Sequence, residues 1–340
     1  MRIGILGCGY WGSKHVRVMH GLGEVEQVAI IDPRIDRREE LCNTFPSLLS
    51  FATLDAALPH VDALVVATPP STHTELALIA MRAGKHVLVE KPLTTSVDDA
   101  LRLLDEAERS DTVLMVGHTF EYNAAVVALK AIISSGEIGR LHYIDTARLN
   151  LGQYQASINV VWDLAPHDIS IVNYLLDATP DTVTAWGDSH AHAFLEDVAY
   201  IRLEYRSLNV TAQIHVSWLD PCKVRRVTVV GSQKMVVYND LASEERLRIY
   251  DKGVEPPDEW GGAMHDVPAS YRHGGIHSPY VPFEEPLQVQ ARHFADCVAT
   301  RRRPLSDGRN GLAVVEVLAA AERSLRERRT VELTGIPATA

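Results

Sequence analysis

Apolar and polar positions follow two different rhythms along this chain. In the first third, short apolar runs at 2–6, 27–31, 63–68, 86–90 and 113–117 are rich in Val, Ile and Leu and bounded by turn residues. Between them, segments near 13–22, 35–44, 72–83 and 97–109 carry apolar residues at helical spacing. Runs that are apolar at successive positions predict strands covered on both faces, and strand–helix alternation predicts a parallel, doubly wound sheet. Right-handed crossovers then bring the C-terminal strand ends to one edge, where a ligand binds.

After a predicted helix near 122–135 the rhythm changes. A strand at 141–150 leads through a polar loop to an apolar helix at 166–177. Partly alternating runs follow at 182–190, 198–205, 209–218, 223–231 and 234–240, which predict an open, mostly antiparallel sheet with one face to be covered. The stretch 251–286 is rich in Pro and Gly with little periodicity and reads as a long loop. Helical patterns at 287–300 and 309–326 close the chain. The expected architecture is an α/β domain over 1–120 and an α+β domain over 121–340.

Composition narrows the function. The 340 residues are 46% hydrophobic and 23% charged, as in folded globular proteins. A net charge of −11 leaves no basic footprint for nucleic acid. No run approaches the ~20 apolar residues of a membrane helix. The opening MRIGILGCGYWG breaks at once into glycines and does not read as a signal peptide. Cys8, Cys42, Cys222 and Cys297 lie far apart, which suits reduced thiols and a cytoplasmic location.

Gly7-Cys8-Gly9-Tyr10-Trp11-Gly12 is a GxGxxG motif directly after the first strand. Gly7 permits a tight turn, Gly9 lets the backbone approach a pyrophosphate, and Gly12 lets helix and strand pack closely. The following helix N-terminus offers free N–H groups to phosphate. Asp32 ends the second strand, 20 residues beyond Gly12, where a carboxylate binds the adenosine ribose hydroxyls. A carboxylate there repels a 2′-phosphate, so NAD is expected over NADP, although nearby Arg34 offers a partner for that phosphate.

Two further groups carry candidate chemistry. Glu90-Lys91-Pro92 follows a strand at the ligand edge, where a lysine can bind a hydroxyl or steady a developing alkoxide. In Trp162-Asp163-Leu164-Ala165-Pro166-His167, Pro166 suits a first helical turn, with Asp163 or Ala165 near the cap. Asp163 and His167 are four apart, so a helical path gives them a common face, and an acid beside an imidazole makes a general base near neutral pH. The alternative is a capping acid and a structural histidine. The pairs His190/His192 and His273/His277 have metal-compatible spacing but no third ligand, so no metal is expected. No GxSxG elbow is present to support hydrolysis. The 301–303 arginine run reads as a solvated helix end.

These residues resemble the glucose–fructose oxidoreductase / inositol dehydrogenase / MocA family of NAD(P)-dependent oxidoreductases. The resemblance rests on GCGYWG at 7–12, ATPPSTH at 67–73, EKP at 90–92, Asp163 with His167, and DGRNGLAVVEVL at 307–318. It implies a Rossmann domain, a C-terminal α+β domain whose sheet meets its counterpart in dimers or tetramers, and a CH–OH dehydrogenase. His167 would exchange the hydroxyl proton, Asp163 would orient substrate or support His167, and Lys91 would bind the reacting oxygen. Tyr10, Trp11, Thr68, Pro69, His73, Glu90 and Trp162 are expected near the cofactor. Tyr122, Arg148, Asn150 and Asn159 are expected near substrate, with Tyr271 and Arg272 in the long loop reaching a nucleotide or a neighbouring subunit.

The phrases GHTFEYN at 117–123 and NVVWDLAPHDISI at 159–171 are more similar to members acting at C3 of nucleotide-linked sugars, such as UDP-N-acetylhexosamines or their uronic acids. Inositol-type members commonly have a glycine-rich approach to DxxxH, which 159–162 lacks. A cyclitol or free-sugar dehydrogenase and a ketosugar reductase are the enzymatic alternatives, and an NAD(H)-binding redox sensor is the non-enzymatic one.

Overall fold

A computed structural model describes residues 1–152, 154–155, 158–191, 193–255 and 270–333. The chain opens with β1 (Arg2–Leu6), α1 (Tyr10–His20), β2 (Gln27–Ile31), α2 (Ile35–Thr44), β3 (Leu49–Phe51) and α3 (Leu54–Ala57). It continues through β4 (Ala63–Val66), α4 (His73–Arg82), β5 (His86–Val89), α5 (Val97–Arg109) and β6 (Leu114–Val116). The six strands pair in parallel in the order β3-β2-β1-β4-β5-β6. Every residue of β4, β5 and β6 is buried, as their continuous apolar runs require when helices cover both faces. Strand order reverses around β1, which sits between β2 and β4. That switch point opens a crevice at the strand C-termini. The three-residue β3, Leu-Ser-Phe, has two exposed residues at the sheet edge and too little apolar pattern to announce itself.

The chain then forms α6 (Ala124–Ser134), β7 (Leu141–Leu151), α7 (Val160–Leu176), β8 (Thr182–Asp188), β9 (Val198–Tyr205), β10 (Val210–Ser217), β11 (Leu219–Gly231), β12 (Met235–Asn239), β13 (Leu247–Glu255) and β14 (Ser270–His277). It ends with α8 (Pro286–Thr300), α9 (Gly308–Glu327) and β15 (Val331–Glu332). Strands β7 to β15 build a nine-stranded sheet in the order β14-β13-β12-β11-β7-β10-β9-β8-β15, antiparallel except where β7 meets β10. Burial alternates along it. In β9, Ala199, Ile201, Leu203 and Tyr205 are buried, while Tyr200 and Arg202 are exposed. Period-two side chains allow one covered and one open face, and α7 covers the inner one, with the Tyr205 hydroxyl donating to Asn173 Oδ1 at 2.8 Å.

Three expectations change. The chain divides into one unit of 1–123 with 284–319 and another of 124–283 with 320–340, instead of the contiguous 1–120 and 121–340. The reason is apolar: Leu287, Ala291, Phe294 and Cys297 of α8 join the core that contains Ile3, Ile5, Val16 and Met19. The stretch expected as loop over 251–286 contains the end of β13 and all of β14, whose pairing with each other replaces the missing periodicity. Residues 256–269 lie outside the described part. Finally, α7 starts at Val160 and not at 166, because Asn159 Oδ1 accepts the Trp162 N–H at 3.2 Å and caps it. Pro166 is therefore inside the helix.

Candidate active site

In the first unit, the turn after β1 is built by backbone geometry. Gly7 has φ +94°, and a Cβ there would stand 2.7 Å from the Ala67 carbonyl oxygen. A Cβ on Gly12 would stand 1.8 Å from the Gly7 carbonyl oxygen, so only glycine lets α1 start this close to the turn. A Cβ on Gly9 would meet nothing within 4 Å. Gly9 is also the α1 N-cap and has no side-chain cap. The free N–H groups of the first turn thus face open space that fits a pyrophosphate. Tyr10 and Trp11 are exposed beside it, their rings edge-on at 5.5 Å.

Asp32 is buried at the end of β2. Its Oδ2 accepts the Cys8 N–H at 2.8 Å and its Oδ1 accepts the Arg34 N–H at 2.9 Å, with the Arg34 Nε at 3.1 Å. Burial opposes its charge, but Arg34 and the two backbone N–H groups outweigh it and hold the carboxyl below its usual range. The Asp32 carboxylate therefore stays ionised at neutral pH. Burial and the Asp32 charge push the Cys8 thiol up to about 12.

The loop after β4 and the Lys91 loop are joined. The His73 ring, buried, bridges the Thr68 carbonyl at 2.9 Å and the Pro92 carbonyl at 2.9 Å, and burial lowers its pKa. Thr68 is half-buried and Pro69 exposed. Glu90 is buried: its Oε1 meets His15 Nε2 of α1 at 2.7 Å, and its Oε2 accepts the Lys91 N–H at 3.1 Å. Burial opposes its charge, but His15 and Lys91 keep the carboxyl below its usual range. Lys91 itself is half-buried and precedes Pro92 across a cis peptide. Tyr122 lies in the core, its hydroxyl 3.0 Å from Ser306 Oγ. His118, which the sequence did not single out, is fully buried with neither ring nitrogen hydrogen-bonded, and burial pushes its pKa down to about 4.

In the second unit, α7 carries Asp163 and His167 one turn apart, both half-buried, so the expected common face is real. Asp163 Oδ2 accepts the Trp218 indole N–H at 3.0 Å. Supports surround the pair. Asn159 Nδ2 donates to Glu196 Oε2 at 2.8 Å, and the Trp162 indole donates to Glu322 Oε2 at 2.9 Å. Arg148 Nε donates to Asp168 Oδ2 at 2.6 Å, an ion pair buried between β7 and α7. Asn150 is half-buried near the end of β7. Tyr271 is exposed on β14, and the Arg272 Nε donates to Asp251 Oδ1 at 3.0 Å. His190 Nδ1 lies 2.8 Å from Asp197 Oδ1, while His192 is outside the described residues. Among the described residues, no group of three or more His, Cys, Asp or Glu is placed to hold a metal, and no helix is long and apolar enough to cross a membrane.

A Rossmann crevice with a glycine turn and an ionised carboxylate at the end of β2 suits a dinucleotide-dependent oxidoreductase. Residues 1–118 match the model of the oxidoreductase family with an NAD-binding Rossmann fold, and 126–237 match the GFO/IDH/MocA C-terminal domain. The chain belongs to the GFO/IDH/MocA oxidoreductases and uses NAD. It is 28% identical over 331 residues to UDP-N-acetylglucosamine 3-dehydrogenase of Acidithiobacillus ferrooxidans, covering 94% of this chain and 95% of that protein. It is 26% identical over 349 residues to myo-inositol 2-dehydrogenase of Thermotoga maritima, covering 98% of each. Its fold superposes on GenD2 from gentamicin A biosynthesis in complex with NAD with a TM-score of 0.82, at 25% identity over 98% of this chain and 97% of that one.

Proposed function

We propose that this protein oxidises a secondary alcohol at C3 of a nucleotide-linked sugar, such as a UDP-N-acetylhexosamine or its uronic acid. The observation that carries the reading is the half-buried Asp163–His167 pair on α7, with Asp163 held by an indole N–H. A redox sensor has no use for a proton-exchanging pair. The sugar class is supported by the whole-length likeness to the UDP-N-acetylglucosamine enzyme and by the phrases at 117–123 and 159–171. The nearly equal likeness to myo-inositol 2-dehydrogenase keeps a cyclitol as the second reading.

NAD, held by Gly7, Gly9, Gly12 and Asp32 with Tyr10, Trp11, Thr68 and Pro69 alongside, supplies the hydride acceptor when bound. The chain's own residues handle the proton and the charge. His167 takes the hydroxyl proton onto its imidazole, Asp163 orients the substrate and supports the imidazolium, and the Lys91 ammonium steadies charge on the reacting oxygen. In this reading His73, Glu90, Tyr122, Arg148, Asn159 and Trp162 are supports, since the polar atoms described above already have partners inside their own unit, and Asn150 remains a candidate sugar contact. A second copy of the chain covers the open face of the nine-stranded sheet. This is supported there by the ladder of Trp186, Tyr200 and His215, stacked at 5.7 and 4.1 Å with Trp186 52% exposed. The free thiols support a cytoplasmic location.

The test is kinetic. His167→Ala lowers kcat about 10²–10⁴-fold, the usual share of a general base, while NADH binding by fluorescence titration is unchanged. Turnover near wild type removes His167 from the mechanism.

A further inference from the structure

Trp218 lies between β10 and β11, distant in sequence from α7, and is fully buried. Its backbone is fixed at both ends: its N–H donates to the Asp197 carbonyl at 2.8 Å, and its carbonyl accepts the Gly152 N–H at 2.8 Å. Its ring is fixed too. A Cβ on Gly152 would stand 2.7 Å from the indole Cδ1, and the Tyr154 ring packs on it at 5.3 Å between centroids. Tyr154 is tied in turn, its hydroxyl donating to Asp197 Oδ2 at 3.3 Å. Asp197 also accepts the His190 and Ala191 N–H groups, each at 2.8 Å. The result is an indole with no freedom to turn, aimed at Asp163 Oδ2 from 3.0 Å.

We infer that Trp218 is the positioning residue for Asp163. An indole N–H only donates, so it demands an acceptor and holds Oδ2 in that role. Being uncharged, it fixes the carboxylate's rotamer without competing for the charge that Asp163 offers to substrate and to His167. Trp218 touches no reacting atom. It acts through Asp163, as the buried brace that keeps one oxygen occupied and leaves the other oriented.

The inference rests on the reading of Asp163 as part of the acid–base pair, and a double-mutant cycle separates the two. Trp218→Phe keeps an aromatic ring and removes the donor. It is expected to lower kcat about 10- to 100-fold, as for loss of a hydrogen bond to a charged group. NADH affinity stays near wild type. In an Asp163→Asn background the same change alters kcat less than about twofold, because its route of action is gone. If Trp218→Phe fails to fold, benzothienylalanine placed at position 218 preserves the bicyclic shape without the N–H and gives the same comparison. Unchanged kcat in the single variant, or an equal loss in both backgrounds, overturns the assignment of Trp218 alone. If Asp163→Asn by itself leaves kcat intact, the acid–base reading and the positioning role fall together.

Discussion

The two units fix their functional groups by different physical means. In the first, the cofactor crevice is made by backbone: a left-handed Gly7, a Gly12 with no room for a side chain, and an uncapped helix end at Gly9. In the second, side chains remote in sequence hold α7, which carries Asp163 and His167. Asp163 is braced from 55 residues away by Trp218, Asn159 from 37 by Glu196, and Trp162 from 160 by Glu322. A demand on backbone conformation restricts residue type at the position itself and leaves a readable motif. A demand met by a distant partner leaves no local mark.

The contrast can be tested through stability. The Arg148–Asp168 ion pair is buried between β7 and α7, the kind of long-range tie on which the second unit depends. Arg148→Met strands the Asp168 carboxylate and is expected to cost about 3–5 kcal/mol in denaturant unfolding, while the double change Arg148→Met/Asp168→Leu regains most of it. A loss below about 1 kcal/mol for the single variant, in the range of a surface pair, contradicts the dependence.

A smaller effect is expected in the first unit, from His118. Its folded pKa of about 4 lies below the ordinary 6.5, so between these values the unfolded chain binds the proton and the folded one does not. Stability is therefore full above about pH 6.5 and falls as pH drops toward 4, by up to about 3 kcal/mol at 1.36 kcal/mol per pH unit. Glu90 opposes the shift and Lys91 adds to it. His73, His86, His215 and His293 are lowered in the same direction by burial, so part of the acid slope persists in any single variant. Melting curves across this range should show a shallower slope in His118→Leu than in wild type, and equal slopes contradict the assignment.

Legibility in the sequence followed the same division. The strands β1, β2, β4, β5 and β6 and the helices α1, α2, α4 and α5 stand out because continuous apolar runs and helical spacing are local signals, whereas the four-residue α3 does not. GxGxxG and Asp32 could be read for the same reason. The edge strand β3 is too short to read, and β14 forms in a stretch with little periodicity, because pairing with β13 stabilises it. The sequence places the start of α7 at 166 because Pro166 is a conspicuous first-turn residue, whereas the cap is Asn159, whose Oδ1 accepts the Trp162 N–H while its Nδ2 donates to the remote Glu196. Trp218 ends an alternating run and reads as one more core aromatic, although its donor is directed at Asp163. Tyr122 and Arg148 look like polar contacts in the sequence, yet the structure turns them toward Ser306 and Asp168.

The central claim, a nucleotide-sugar dehydrogenase, is tested most directly by nicotinamide absorbance on the purified protein. NAD⁺ would be supplied with UDP-N-acetylglucosamine, its uronic acid, myo-inositol, scyllo-inositol or free hexoses, each with and without a keto-acid as hydride acceptor. The account predicts reduction of NAD⁺ with a nucleotide sugar and none with the cyclitols or free sugars. Reduction with an inositol and none with any nucleotide sugar would contradict it.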